Sequence, residues 1–272
     1  MLVLNLKEYG DFSTLFQENR RLTGEKLDYT KIISRLESLA DPVNVAGMAR
    51  YGIRPARVYG VAMPELRKMA REIGKDHTLA QRLWRSGFHE ARILAALVDD
   101  PRQVTEVQME RWAAEFDSWA VCDTVCGSLF DRTPFAWKKA LKWSASREEY
   151  VKRAGFALMA WLAVHDKQAG DKKFYPFLKA IRRAAEEERN LVKKAVNWAL
   201  RQIGKRNVRL HALAIAAARE MHDLDSREAR WIAGDALREL TDRQKGAGKN
   251  SIEAVRLAPC SKKLSPSFAE PR

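Results

Sequence analysis

Apolar residues recur three and four positions apart through nearly every informative stretch of this chain, a period that fits an α-helix and not a strand. Residues 66–73, 91–98, 151–164, 191–203 and 228–240 each carry it, and strand-like alternation is scarce. Short turn signals separate the runs: Asp99-Asp-Pro101, Arg132-Thr-Pro134, residues 165–171 and His222-Asp-Leu-Asp-Ser226. Connections this short make consecutive helices antiparallel neighbours, so the pattern predicts an all-α array of helical hairpins. The array also repeats. Val151-Lys-Arg-Ala154 returns as Val192-Lys-Lys-Ala195, 41 residues further on, close to the period of HEAT-type repeats. Arg92, Asp123, Arg153, Lys194 and Arg230 are charged residues early in successive apolar helices, at offsets of 31, 30, 41 and 36. The predicted fold is a HEAT-like helical-repeat solenoid, an α-α superhelix whose equivalent positions line one concave wall. That wall would be a basic groove interrupted by Asp123.

With 272 residues and 46% hydrophobic content, the chain can bury a substantial core as one elongated unit or up to two compact ones. The expected division is a helical extension over 1–40, the repeat domain over 41–243 and a flexible basic tail over 244–272. Within the extension, residues 28–36 are the better helix candidate, and the tail has too little apolar content to pack. A net charge of +14 favours a polyanionic partner: DNA, RNA or an acidic membrane surface. The charge is concentrated mid-chain, where residues 151–210 hold 15 Lys/Arg against 5 Asp/Glu, while residues 1–40 balance at six of each. No apolar run reaches the roughly 18 residues needed to span a bilayer. The start, Met1-Leu-Val-Leu-Asn-Leu-Lys-Glu, lacks the layout of a secretion signal. Three cysteines make no disulfide framework. These features predict a cytoplasmic, nucleoid-associated protein without a membrane partner.

One pair of side chains carries most of the chemical information. Trp119 and Asp123 lie one helical turn apart in an apolar segment, so an indole and a carboxylate share a helix face. On a cationic surface, a lone carboxylate marks a place where docked nucleic acid can present a positive centre. Taken alone, such an aspartate reads more often as a helix cap or an arginine's partner than as a site residue. Other chemistries find little support. Cys122 and Cys126 are four apart, but nothing nearby supplies further ligands for a tetrahedral metal. His77, His89, His165, His211 and His222 form no evident pairing with a nucleophile, and there is no glycine-rich phosphate loop. Trp84, Trp112, Trp137, Trp143, Trp161 and Trp231 read as packing residues.

Five segments in fixed order carry a more specific signal. They are Met48-Ala-Arg-Tyr51, Gly60-Val-Ala-Met-Pro-Glu-Leu-Arg67, Ser118-Trp119 through Asp123, Lys152-Arg-Ala154, and Lys194-Ala-Val-Asn-Trp198-Ala-Leu-Arg201. Over roughly 45–241 the chain resembles the HEAT-like-repeat DNA alkylpurine glycosylases of the AlkD type. That resemblance implies a monomeric enzyme that needs no metal or organic cofactor. It would hydrolyse the N-glycosidic bond of 3-methyladenine or 7-methylguanine in duplex DNA, leaving a free base and an abasic site for base excision repair. It implies that Trp119, Asp123 and Trp198 surround the lesion nucleotide, with Tyr51 approaching the DNA and Arg153 beside the site. The stretch Ala120-Val-Cys122 departs from relatives that carry another Trp or acidic residue there. A solenoid of this kind that binds nucleic acid without turnover, or that serves as a protein scaffold, stays open as an alternative.

The implied chemistry suits these residue types. Alkylation puts positive charge on the purine and makes it a better leaving group, and cleavage leaves an oxocarbenium-like sugar. A carboxylate at Asp123 can stabilise that cation and orient water. Indole faces attract cationic groups, by about 0.5–2 kcal/mol each. Arg153, Lys152, Lys194 and Arg92 are the candidates for holding phosphates, which supplies affinity without reading sequence.

Overall fold

The computed structural model describes residues 27–256, with side chains to 242. Every regular element among the described residues is helical, as the periodicity predicts. The chain divides into two compact units, at Thr133 and Pro134. In the first lie α1 (Tyr29–Ser38), α2 (Pro42–Arg50), α3 (Met63–Ile73), α4 (His77–Arg85), α5 (His89–Val98), α6 (Glu106–Ala114) and α7 (Trp119–Ser128). The second holds α8 (Ala136–Ser144), α9 (Glu149–His165), α10 (Tyr175–Arg183), α11 (Asn190–Gly204), α12 (Val208–His222) and α13 (Arg227–Arg256).

Local chemistry sets where these helices begin. Asp28, Asp41, Asp76, Thr105, Ser118 and Asn207 each accept a backbone N–H of the following first turn. Each such cap contributes about 1 kcal/mol. Pro42, Pro64 and Pro176 sit in first turns, where a missing N–H costs nothing.

In the first unit α5 is the central helix, packed by α3, α4 and α7, and α1 leans on α4 and α5. Eight of its ten residues are buried, the consequence of an apolar content too high for a surface helix. In the second unit α9 and α11 hold the centre, with α8 against α9 and α13 against α11. The five charged positions of the sequence series are the fourth or fifth residues of α5, α7, α9, α11 and α13. The series therefore marks alternate helices, the second member of each hairpin. The core tryptophans stack as expected, Trp84 on Trp112 at 4.0 Å, and Trp143 is buried. Trp231 differs: it is 42% exposed, with the Lys193 ammonium 5.4 Å above its ring.

The ends also differ from the sequence division. Residues 29–38 of the expected extension form α1 and pack within the first unit, while 1–26 lie outside the described residues. A mobile tail is expected from 244, yet the backbone stays helical to Arg256. Gly246 and Gly248 each weaken a helix by about 1 kcal/mol, but no proline interrupts it before Pro259. The remaining residues, 257–272, lie outside the described part. No described helix is long and apolar enough to cross a membrane.

Candidate functional site

The first turns of α7 build one side of a cleft in the first unit. Ser118 starts the helix, its Oγ accepting the Val121 N–H at 3.2 Å. Trp119 and Asp123 follow one turn apart and both line the cleft. The Trp119 indole N–H donates to the Tyr51 carbonyl at 2.9 Å, tying α7 to the end of α2. Tyr51 also lines the cleft and is 75% exposed, a large aromatic left facing solvent.

The opposing wall depends on Gly60. Its φ of +85° is one that L side chains rarely adopt, and a Cβ there would sit 2.3 Å from the Asp41 carbonyl. The buried Glu90 carboxylate accepts the Gly60 N–H at 2.7 Å and the Tyr59 N–H at 3.0 Å, which fixes the chain before α3. Asn44 of α2 donates to the Gly60 carbonyl at 3.1 Å. These bonds hold α2, none of whose residues is buried, against the cleft edge.

The cleft encloses about 710 Å³, within the range of small-ligand sites and ample for a nucleotide. Met48, Ile53, Val61, Met63 and Ile93 make it mostly apolar, with Asp123 as its carboxylate and Arg67 as its guanidinium. An acid beside apolar walls faces a lower effective dielectric than one in water, so its attraction for a cation is strengthened. Among the described residues no group of three or more His, Cys, Asp or Glu side chains could hold a metal ion. Cys122 and Cys126 are buried thiols, and burial pushes Cys126 well above the usual thiol range. They have the character of packing groups.

The other sequence candidates lie elsewhere. Arg92 is not part of the cleft lining; it donates to the Asp117 carboxylate and the Glu115 carbonyl, each at 3.0 Å, and lies over Trp84. In the second unit, Trp198 packs edge-on against Trp161 at 5.3 Å. Arg153 is 6% exposed and its guanidinium donates to the Leu191 carbonyl. Lys194 is exposed. Lys152 pairs with Glu187 at 2.6 Å, and Arg189 approaches the same carboxylate at 2.6 Å.

Arg189 first, then Lys152, holds the Glu187 carboxyl down at about 2. A carboxylate depressed in the folded state stabilises above its unfolded range near 4.3, and that contribution disappears as pH falls towards 2. Glu187→Gln is therefore expected to lower stability at pH 7 by about 1–2 kcal/mol, after discounting for solvent near the pair. Thermal melts at pH 7 and pH 3 measure it: the gap between variant and parent should narrow at the lower pH. An equal gap at both would remove the ion pair as its cause.

Two ionisable lining residues carry no role in the sequence reading. Arg67 is visible in sequence as the end of the Gly60–Arg67 motif, but only the structure puts it in the cleft. His89 gives no local signal at all; 3% exposed, its Nδ1 lies 3.5 Å from Ser118 Oγ. Ser118, fully buried and capping its helix, is poorly placed as a nucleophile.

Comparison with known proteins agrees with this architecture. An uncharacterised protein of Listeria innocua serovar 6a is 23% identical over 199 residues, covering 72% of this chain and 87% of the relative. One from Listeria monocytogenes serovar 1/2a is 21% identical over the same shares. A solved structure described as a new family of proteins related to the HEAT-like repeat DNA glycosylases, with affinity for branched DNA structures, superposes with a TM-score of 0.70 at 22% identity. It covers 80% of this chain and 95% of that one. The repeat fold is thus that of the HEAT-like glycosylase-related proteins. The profile of one family runs from residue 32 to 249, through the cleft helices and the paired helices beyond them, and on that match the chain belongs to the DNA alkylation repair enzyme family.

Proposed function

We propose that this protein is a monofunctional DNA glycosylase that removes cationic alkylated purines such as 3-methyladenine and 7-methylguanine from duplex DNA. The observation that carries the reading is the placement of Trp119 and Asp123 together on the lining of one nucleotide-sized cleft. The substrate brings its own positive charge, so the site needs to add little beyond a matching anion and a wall that excludes water. Asp123 supplies the anion, set to stabilise the sugar cation that forms as the purine departs. The Trp119 indole, held by the Tyr51 carbonyl, offers an electron-rich face to the same charge. Arg67 and the exposed Lys194 are suited to phosphate contacts, and Arg92 and Lys152 would first have to leave carboxylate partners. The parts assigned to Trp198 and Arg153 rest on the resemblance of their segments to the glycosylases.

The test is direct. Incubation with duplex containing 7-methylguanine is expected to release free base above the spontaneous rate and to leave abasic sites that alkali cleaves. Binding without release would favour a second reading, a non-catalytic DNA binder, which draws support from the fold neighbour described as having affinity for branched DNA. Failure to retain DNA even at low salt would argue for a protein scaffold instead.

A further inference from the structure

The reaction that Asp123 serves releases a proton, and a carboxylate that took it would lose the charge that stabilises the sugar. A second, uncharged acceptor in the cleft resolves this conflict. We propose that His89 is a catalytic residue for the glycosylase reaction, its imidazole accepting the proton of the water that attacks C1′ while Asp123 stays ionised. This inference rests on the glycosylase reading above.

Position and surroundings support it. His89 lines the same cleft as Asp123 and is otherwise buried. Its backbone is pinned by donation to the Arg57 carbonyl at 2.9 Å. Ser118 Oγ, 3.5 Å from His89 Nδ1, already accepts the Val121 N–H and keeps a second lone pair; we assign the ring proton to Nδ1, which makes Nε2 the bare acceptor. The ring is also held neutral. His89 is the first residue of α5 and lies against the cap of α7, so two positive helix ends oppose protonation. Burial acts in the same direction and lowers its proton affinity, more than Glu90 and Asp117 raise it, with Arg92 adding to the lowering. Glu90 is held by the Tyr59 and Gly60 N–H groups and Asp117 by Arg92; Arg67 and Asp123 line the same cleft, Arg57 receives the His89 N–H at its carbonyl, and Glu65, Lys68, Arg71, Glu72, Arg82 and Arg85 are carried by α3 and α4, which pack on α5. A protonated ring would place a cation next to a cationic purine.

The step balances. The C1′–N bond breaks with its electron pair passing to the purine, which cancels the ring charge. Water oxygen bonds to C1′, its proton passes to Nε2 and then to solvent, and the products are neutral base, abasic site and one proton.

Single-turnover excision of 7-methylguanine by the full chain, by His89→Ala and by His89→Gln tests this. Both variants should excise about 100-fold more slowly at neutral pH while binding duplex normally, and added imidazole should restore His89→Ala in part. Excision by the parent protein should fall on the acid side below the ordinary imidazole range near 6.5, in step with the His89 ring titration read by NMR. His89→Gln should lack that limb. Parent-like rates in both variants, or a slowed His89→Ala that imidazole leaves unchanged together with the acid limb intact in His89→Gln, overturn the assignment and leave the glycosylase standing. No release by the parent protein at any pH overturns both.

Discussion

Asp123→Asn is expected to reduce excision of 7-methylguanine by about 100- to 1,000-fold while leaving retention on duplex DNA within a few-fold. The substitution keeps the shape of the side chain and removes its charge, so the loss reports electrostatics and not packing. Two unit charges about 4 Å apart at an effective dielectric near 20 attract by about 4 kcal/mol. Removing one preorganised charge-stabilising group from other enzymes costs about 2.7–4 kcal/mol, the same scale. The attraction is weak for the bound lesion, whose charge sits on the purine, and strong once charge moves to the sugar. It should therefore appear in the single-turnover rate far more than in affinity. Asp123→Glu is informative beside it: the charge returns, displaced by one methylene within a cleft fixed by Gly60 and the Trp119–Tyr51 bond, and partial activity is expected. Full release by Asp123→Asn would end the proposed role for this carboxylate.

The central helices of each unit are legible in sequence because each is long or strongly apolar. The α5, α7, α9, α11 and α13 series shows in sequence as charged residues early in apolar helices, which are their fourth or fifth positions. The facing wall is not legible. In α2, Pro42-Val-Asn-Val-Ala-Gly-Met-Ala-Arg50 has no buried residue and no clear apolar stripe, so periodicity finds nothing there. It is held by Gly60, whose N–H meets Glu90 thirty residues further on, an interaction no local pattern contains. For the same reason the Arg92–Asp117 pair and the shared hold of Arg189 and Lys152 on Glu187 escape a reading by helix face. Such a reading treats each cation as available to phosphate. Burial of Arg153 escapes it too, because the Leu191 carbonyl that receives its guanidinium belongs to the next hairpin. The common face of Asp123 and Trp119 is legible because their spacing within one turn already fixes it.

The opposite signs of two Gly→Ala substitutions test the helix packing that underlies the second unit. At Gly155 of α9, an added Cβ would lie 2.4 Å from the Ser144 nitrogen and 2.8 Å from both the Ser144 Cα and the Trp143 carbonyl carbon. All three are backbone atoms of the α8 end, so no side-chain rotation relieves the contact. The Trp143 side chain is itself fully enclosed, which leaves α8 little room to retreat. Alanine favours a helix over glycine by about 1 kcal/mol, but forcing two packed helices apart costs about 1–3 kcal/mol or more. With the contacts this short the clash should prevail, and Gly155→Ala is expected to destabilise by at least about 2 kcal/mol, a fall of roughly 8 °C for a unit of this size. At Gly234 of α13 nothing lies within 4 Å of the added carbon, so the propensity gain acts unopposed and Gly234→Ala should raise the melting temperature by a few degrees. Calorimetry of the two variants decides the matter. A Gly155→Ala protein as stable as its parent would mean that α8 and α9 do not cross at backbone contact, and the close packing that sets the position of Lys152 and Arg153 would have to be redrawn.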